Sequence, residues 1–341
     1  MTPTIRDVAE AAQTSIKTVS RVINDEPGVS PEVRQRVKRV IEQVGYVPNI
    51  SARRLKRGRS EALALALPRV ESPYAMRLLS CALREARKRG FSILIIEGDV
   101  MLDRSKGLIQ RAVKLRQVDG LILAPPLLAC PDVLAYLNEI NFPYVVITPN
   151  QLDCVNYSVE VADREGSAEA TRYLLSLGHR RIAYLTCGTD FRFSQERLAG
   201  FQQEMEQAGV ALDQSLIFDG DTTFESGYRI ARKLLESVEL PSAILAGNDE
   251  MAVGAINQLY LSGISVPRDI SVMGFDDMPI AQQVAPPLTT VCQPVDQIVE
   301  KAVELLVRVI CDPEPPEHQH IQIPTRLVLR RTCGRPRKQP D

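Results

Sequence analysis

Residues 4–24 read T-I-R-D-V-A-E-A-A-Q-T-S-I-K-T-V-S-R-V-I-N. Ile5, Val8, Ala9 and Ala12 fall at helical spacing and make one apolar face. Ile16 begins a second pattern, which Val19, Val22 and Ile23 continue. Helices of about two to three turns do not hold alone, so they must pack on each other and on a third. Ser15, Lys17, Thr18, Ser20, Arg21 and Asn24 then share the outer side of the second helix. Hydroxyls, amides and cations on one helix suit phosphates and base edges in a major groove. The stretch predicts a helix-turn-helix.

Its neighbours fit. Thr4 can cap the first helix, with Asp7 three residues on as a capping-box partner. Gln13 stands at the turn, where a bent backbone favours Gly; a positive φ would cost about 1 kcal/mol there. Ser30-Pro31 opens a third helix with Val33, Val37, Val40, Ile41 and Val44 on its apolar face, and Gly45 ends it. Residues 50–59, I-S-A-R-R-L-K-R-G-R, carry five cations and no acid. They read either as a flexible basic linker or as a short helix ordering on DNA, with Leu55 a wedge for the minor groove.

Charge divides the chain the same way. Residues 1–60 hold twelve Lys or Arg and six Asp or Glu; the others hold 29 and 36. A basic head on an acidic body is what a nucleic-acid-binding head needs. The full 341 residues are ample for two or three domains. Seven scattered cysteines without a C-x-x-C read as free thiols in a reducing compartment. With no apolar leader and no membrane-length apolar run, the expected location is the cytoplasm.

From residue 61 short apolar runs alternate with helical stretches. Eight runs read as strands: 63–67, 92–96, 120–123, 144–147, 181–185, 216–218, 243–245 and 270–273. Such alternation predicts parallel sheets covered by helices, in two similar lobes. Pro68, Asp99, Thr148-Pro149, Cys187-Gly188, Asp219 to Asp221, Asn248-Asp249 and Asp276-Asp277 follow the strands. Ligands of open parallel sheets bind outside those strand ends. A facing pair of lobes would therefore make a polar cleft suited to a polyhydroxylated ligand, although Asp and Asn also cap helices and form turns.

Enzyme signatures are lacking. No P-loop, no G-x-G-x-x-G after a strand and no G-x-S-x-G occurs. His179 follows a helix end and reads as a cap, His318 and His320 lack partners at metal spacing, and Asp276-Asp277 are adjacent, so they point apart. The basic tail 330–338 reads as disordered, with Gly334-Arg335-Pro336 a possible minor-groove hook. Neither a cofactor nor a metal is expected.

The wording of these stretches resembles the lactose-repressor/galactose-repressor (LacI/GalR) family of bacterial transcription regulators over nearly the whole chain. The resemblance rests on T-I-R-D-V-A at 4–9, T-V-S-R-V-I-N at 18–24, G-Y-V-P-N at 45–49 and A-R-R-L at 52–55. S-P-Y at 72–74, L-G-H-R-R-I-A at 177–183, E-R-L-A-G-F at 196–201, N-D-E-M-A-V-G-A at 248–255, I-S-V-M-G-F-D-D at 270–277 and P-P-L-T-T-V at 286–291 complete it.

It implies an N-terminal all-α helix-turn-helix head (1–48), a hinge (49–60) and an α/β two-lobe core (61–341) like a periplasmic binding protein, with parallel sheets. Lobe boundaries are expected near 162 and 290, with a last crossover near 322. It further implies a repressor working as a homodimer on a pseudo-palindromic DNA operator, with two-fold symmetry in both. Ile16, Lys17 and Arg21 match readers of base edges, and Thr4, Ser15, Thr18, Asn24 and Asn49 match phosphate contacts. Leu55 matches an intercalating hinge leucine, and Tyr74, Thr148, Arg197, Asn248 and Asp276 match effector contacts for a sugar or sugar derivative.

Ser72, Ala75, Thr148 and Thr222 depart from the family's usual residues, which points to an effector of different shape or charge. No leucine heptad follows the core to make a tetramer. Two other readings compete: a two-lobe solute receptor without DNA function, and an enzyme on a sugar with Asp276 as base.

Overall fold

The computed structural model describes residues 3–46, 59–67, 70–98, 104–125 and 131–337. The chain forms two compact units, Met1–Ser60 and Glu61–Asp341.

In the first unit, α1 (Ile5–Ala11), α2 (Ile16–Ile23) and α3 (Pro31–Val44) close around Val8, Ala12, Val19, Val22 and Val37. The Thr4 N–H and hydroxyl both donate to the Asp7 carboxylate, at 2.7 and 2.9 Å. Ser15 accepts from the Thr18 N–H at 3.0 Å, which caps α2. Pro31 opens α3, and Gly45, at φ 67°, ends it. Gln13 takes φ 47° in the turn, so the helices meet through a left-handed residue without Gly, at about 1 kcal/mol. Arg34 ties α3 to the loop after α2 through the Asp25 carboxylate (2.7 Å) and the Glu26 carbonyl (2.6 Å). One expectation changes: Ile16 does not belong to the apolar face of α2, because it is 44% exposed.

In the second unit, two six-stranded sheets each make a lobe. The first holds β1 (Ala62–Leu67), β2 (Ser92–Glu97), β3 (Gly120–Leu123), β4 (Tyr144–Ile147), β5 (Tyr157–Val161) and β11 (Gln319–Ile323), in the order β11-β5-β4-β3-β1-β2. The second holds β6 (Ile182–Leu185), β7 (Ile217–Phe218), β8 (Ala243–Ala246), β9 (Ser271–Asp276), β10 (Thr289–Cys292) and β12 (Arg326–Val328), in the order β12-β10-β9-β8-β6-β7. Every pairing is parallel except β10 with β12.

β5, β10, β11 and β12 were not among the runs read from sequence. The central strands are buried on both faces and read as continuous apolar runs. Strands such as Q-H-I-Q-I and R-L-V are short and half-exposed, while T-T-V-C buries threonines that bond inside the lobe.

Helices cover the sheets: α4 (Pro73–Lys88), α5 (Arg104–Lys114), α6 (Pro131–Glu139) and α12 (Val295–Cys311) in the first lobe. The second has α7 (Asp163–Ser176), α8 (Arg192–Gln207), α9 (Phe224–Leu234), α10 (Asp249–Leu261) and the short α11 (Pro279–Gln283). The chain passes between the lobes three times, after β5, after β10 and between β11 and β12.

The C-terminal stretch differs from expectation. Residues 330–337 lie packed on the second lobe. Thr332 is buried and its hydroxyl accepts from the Thr289 N–H at 2.8 Å. The Gly334 carbonyl accepts from Ser271 Oγ (3.2 Å) and from His179 Nε2 (2.8 Å). His179 is therefore a fully buried tie for this strap, not a side-chain helix cap. Since Nε2 donates to a carbonyl, Nδ1 accepts from the Ser242 hydroxyl at 2.9 Å. Burial lowers the His179 pKa, which suits the neutral ring.

Candidate functional site

The sequence points to two sites, and each is built by a helix start. On the head, α2 turns Val19 and Val22 into the core and leaves Ser15, Ile16 and Lys17 exposed. Thr18 and Arg21 are half-buried on the same helix. The Ser15 and Thr18 hydroxyls lie 2.9 Å apart, and Asn24 Nδ2 donates to the Ser20 carbonyl at 2.9 Å. The end of the Arg21 guanidinium runs close beside Gly28. Thr4 is exposed at the start of α1. Asn49 and Leu55 lie outside the described residues.

Between the core lobes, the strand ends enclose a cleft of about 900 Å³. Tyr74, Thr148, Arg197, Asn248 and Asp276 all line it. Tyr74 arrives on the first turn of α4, which Ser72 caps by accepting from the Ala75 N–H at 3.1 Å. Asn248 caps α10, accepting from the Met251 N–H at 3.0 Å and donating to the Thr222 carbonyl at 2.8 Å. It is thus a helix cap and a cleft residue at once. Thr148, Thr222 and Asp276 take positive φ values of 51°, 71° and 118°. Strained backbone of this kind persists where surrounding contacts over-determine it, and it clusters at binding sites.

Arg197 is the centre of the cleft, at 4% exposure. Its Nε donates to Asp163 Oδ1 at 2.7 Å and its Nη1 to the Gly247 carbonyl at 2.6 Å. Asp276 Oδ1 lies 3.6 Å from Nη1. The guanidinium carbon also sits 3.7 Å from the centroid of the Phe275 ring and 5.2 Å from that of Phe193. A polar chain then leaves Asp276: Gln293 Nε2 donates to it, and the Tyr74 hydroxyl donates to Gln293 at 3.4 Å. Asp277 faces the other way and pairs with Arg330, so the adjacent acids do not form a catalytic pair.

Asp163, Gln293, Phe191 and Phe193 were missed as site residues. Asp163 directly follows a lobe crossing, and the strand-end rule extended to crossings finds it. Phe191 and Phe193 stack with centroids 5.6 Å apart, in a chain with only eight Phe. Gln293 directly follows β10, a strand not read from the sequence, at the lobe boundary expected near 290.

Burial pushes the Asp276 carboxyl up to about 7, against the Arg197 charge and the Gln293 hydrogen bond. Burial raises Asp163 and Asp249 as well. A carboxyl raised on folding binds its proton more tightly in the folded chain. Its contribution to stability is therefore greatest near pH 4 and declines as pH rises to 7, by at most about 1.4 kcal/mol per unit. Asp276→Asn should lack this decline. Urea unfolding between pH 5 and 7 should show the variant gaining on the parent by about 1 kcal/mol per unit; parallel curves would mean the carboxyl is ionised throughout.

Comparison with known proteins follows the same division. Residues 4–49 match the family described as "Bacterial regulatory proteins, lacI family", and residues 171–333 match "Periplasmic binding protein-like domain". The chain is 37% identical to the HTH-type transcriptional regulator DegA of Bacillus subtilis (strain 168), over 87% of this chain and 88% of that one. It is 31% identical to the ribose operon repressor of Escherichia coli (strain K12), over 96% and 98%. Among solved structures, the lac repressor dimer bound to operator and the anti-inducer ONPF is 26% identical, with TM-score 0.85 over 98% of this chain and 100% of that one.

Proposed function

This chain belongs to the lacI family of bacterial regulatory proteins, and from that premise we propose which residues do its work. It is a DNA-binding transcriptional regulator, and we read it as a repressor controlled by a small sugar-like effector. One observation carries the DNA reading: α2 closes the head's core with one side and presents exposed Ile16 beside Lys17 with the other. Lys17 and Arg21 are the readers of base edges, and Ile16 offers apolar contact to a thymine methyl. Thr4, Ser15, Thr18, Asn24 and Asn49 hold phosphates, and Leu55 is the wedge of a hinge at 49–60.

A homodimer would set two heads on a pseudo-palindromic operator, as the relative solved as a dimer on its operator supports. The core from 61 to 341 carries the effector cleft, where Tyr74, Thr148, Arg197, Asn248 and Asp276 are the contacts. The regulator turns nothing over and works in the cytoplasm; among the described residues no helix is long and apolar enough to cross a membrane.

Operator binding tested across salt concentrations checks the reading. Affinity should fall steeply with salt, because each neutralised phosphate releases counterions. Lys17→Ala should narrow the gap between operator and mutated operator by about 1–3 kcal/mol. A preference that survives the change unaltered would remove Lys17 from the readers, and DNA binding without salt dependence would sink the DNA reading itself.

A further inference from the structure

Charge decides what the cleft admits. Among the described residues that line it, Glu97, Asp163, Asp221, Asp249, Glu250 and Asp276 are acidic, and Arg197 is the one Lys or Arg. Arg197 is already engaged: two carboxylates and a carbonyl lie within 3.6 Å of its nitrogens. Asp249 is also committed, its two oxygens accepting from the Thr290 hydroxyl (2.6 Å) and the Met278 N–H (2.7 Å). The rest of the lining is uncharged, with Ser72, Tyr74, Thr148, Thr222, Asn248 and Gln293 as its polar side chains, and the stacked Phe191 and Phe193 rings offer a face to the C–H side of a sugar ring.

A phosphate or carboxylate brought into this space meets like charge on several sides. To gain a cation, it must take Arg197 from Asp163 and Asp276, leaving buried carboxylates unpaired. Hydroxyls instead find acceptors in the carboxylates, and an ammonium finds counter-charge as well. We propose that the cleft admits neutral or amine-bearing sugars and excludes sugar phosphates and sugar acids. The proposal rests on the reading of the cleft as the effector site. The raised Asp276 agrees with it: beside burial, the negative charges of Asp163 and Glu250 push its carboxyl up against Arg197.

Two measurements on the full chain test this. The first needs no known effector. In Phe191→Cys, labelling of residue 191 by a cationic and by an anionic methanethiosulfonate is followed by mass spectrometry, with exposed Cys154 as internal reference. A negative cleft should favour the cation about tenfold or more over the ratio at Cys154. An equal or inverted ratio overturns the proposal.

The second compares glucose, galactose and ribose with their amino, acid and phosphate counterparts by thermal shift. Neutral or amino forms should raise the melting temperature, and the anionic forms should not. An anionic form that stabilises more than its neutral parent also overturns the proposal. A negative cleft that binds no sugar at all would keep the charge selection and defeat the sugar-effector reading instead.

Discussion

Arg197→Ala is expected to lower the unfolding free energy of the core by about 3–5 kcal/mol, and to abolish the response to effector. The size follows from what the guanidinium leaves behind. It sits between Asp163 and Asp276 and is itself almost wholly buried. Truncation removes the cation and strands both carboxylates, which must then take up protons or expose themselves.

Urea unfolding at pH 7 measures the loss, which should shrink as pH falls and the carboxylates protonate. Asp163→Asn with Arg197→Met removes a charge from each side, and should recover part of the stability without recovering the response. A single variant that unfolds like the parent would show that the pair contributes nothing.

The second large effect concerns shape. Helices α9 and α10 cross where Gly227 faces Met251 and Gly254 faces Phe224. A Cβ on Gly254 would lie 2.1 Å from the Phe224 carbonyl oxygen, and one on Gly227 would lie 2.0 Å from that of Met251. Backbone cannot yield as a side chain does, so the helices must part. Gly254→Ala should cost about 3 kcal/mol, at the upper end for overpacking. Gly107 in α5 is the control, because nothing lies within 4 Å of its Cβ position. There the same change should stabilise by about 0.5–1 kcal/mol, since Ala loses less backbone freedom in a helix. Melting temperatures of the two variants should move in opposite directions.

These cases show what a sequence can and cannot carry. The three head helices were legible because their periodicity, caps and the Ser30-Pro31 start agree. The eight runs predicted as strands were legible because burial on both faces writes an uninterrupted apolar run. Ile16 was misplaced because apolar character alone does not say which side of a short helix it takes. The four remaining strands were hidden by their polar residues, and with β10 went Gln293, although a lobe boundary was expected near 290. The C-terminal strap reads as a solvated basic run, since nothing in R-R-T-C-G-R-P-R announces that Thr332 and Gly334 fasten it to Thr289, Ser271 and His179. Asn248 shows the opposite limit: its capping role was visible locally, whereas its place in the cleft depends on a partner lobe.

The three passages between the lobes also set the order in which the protein comes into being. The three helices of its head are complete once residue 44 has left the ribosome, and their contacts are local. Neither sheet is complete so early: the first lacks its edge until β11 at 319–323 is made, and the second until β12 at 326–328. A nascent chain thus holds a folded DNA reader long before either half of its sensor can close its sheet. Translation stopped short of β11 releases a reader tethered to two incomplete sheets with open edges, and such fragments go to aggregation or proteolysis.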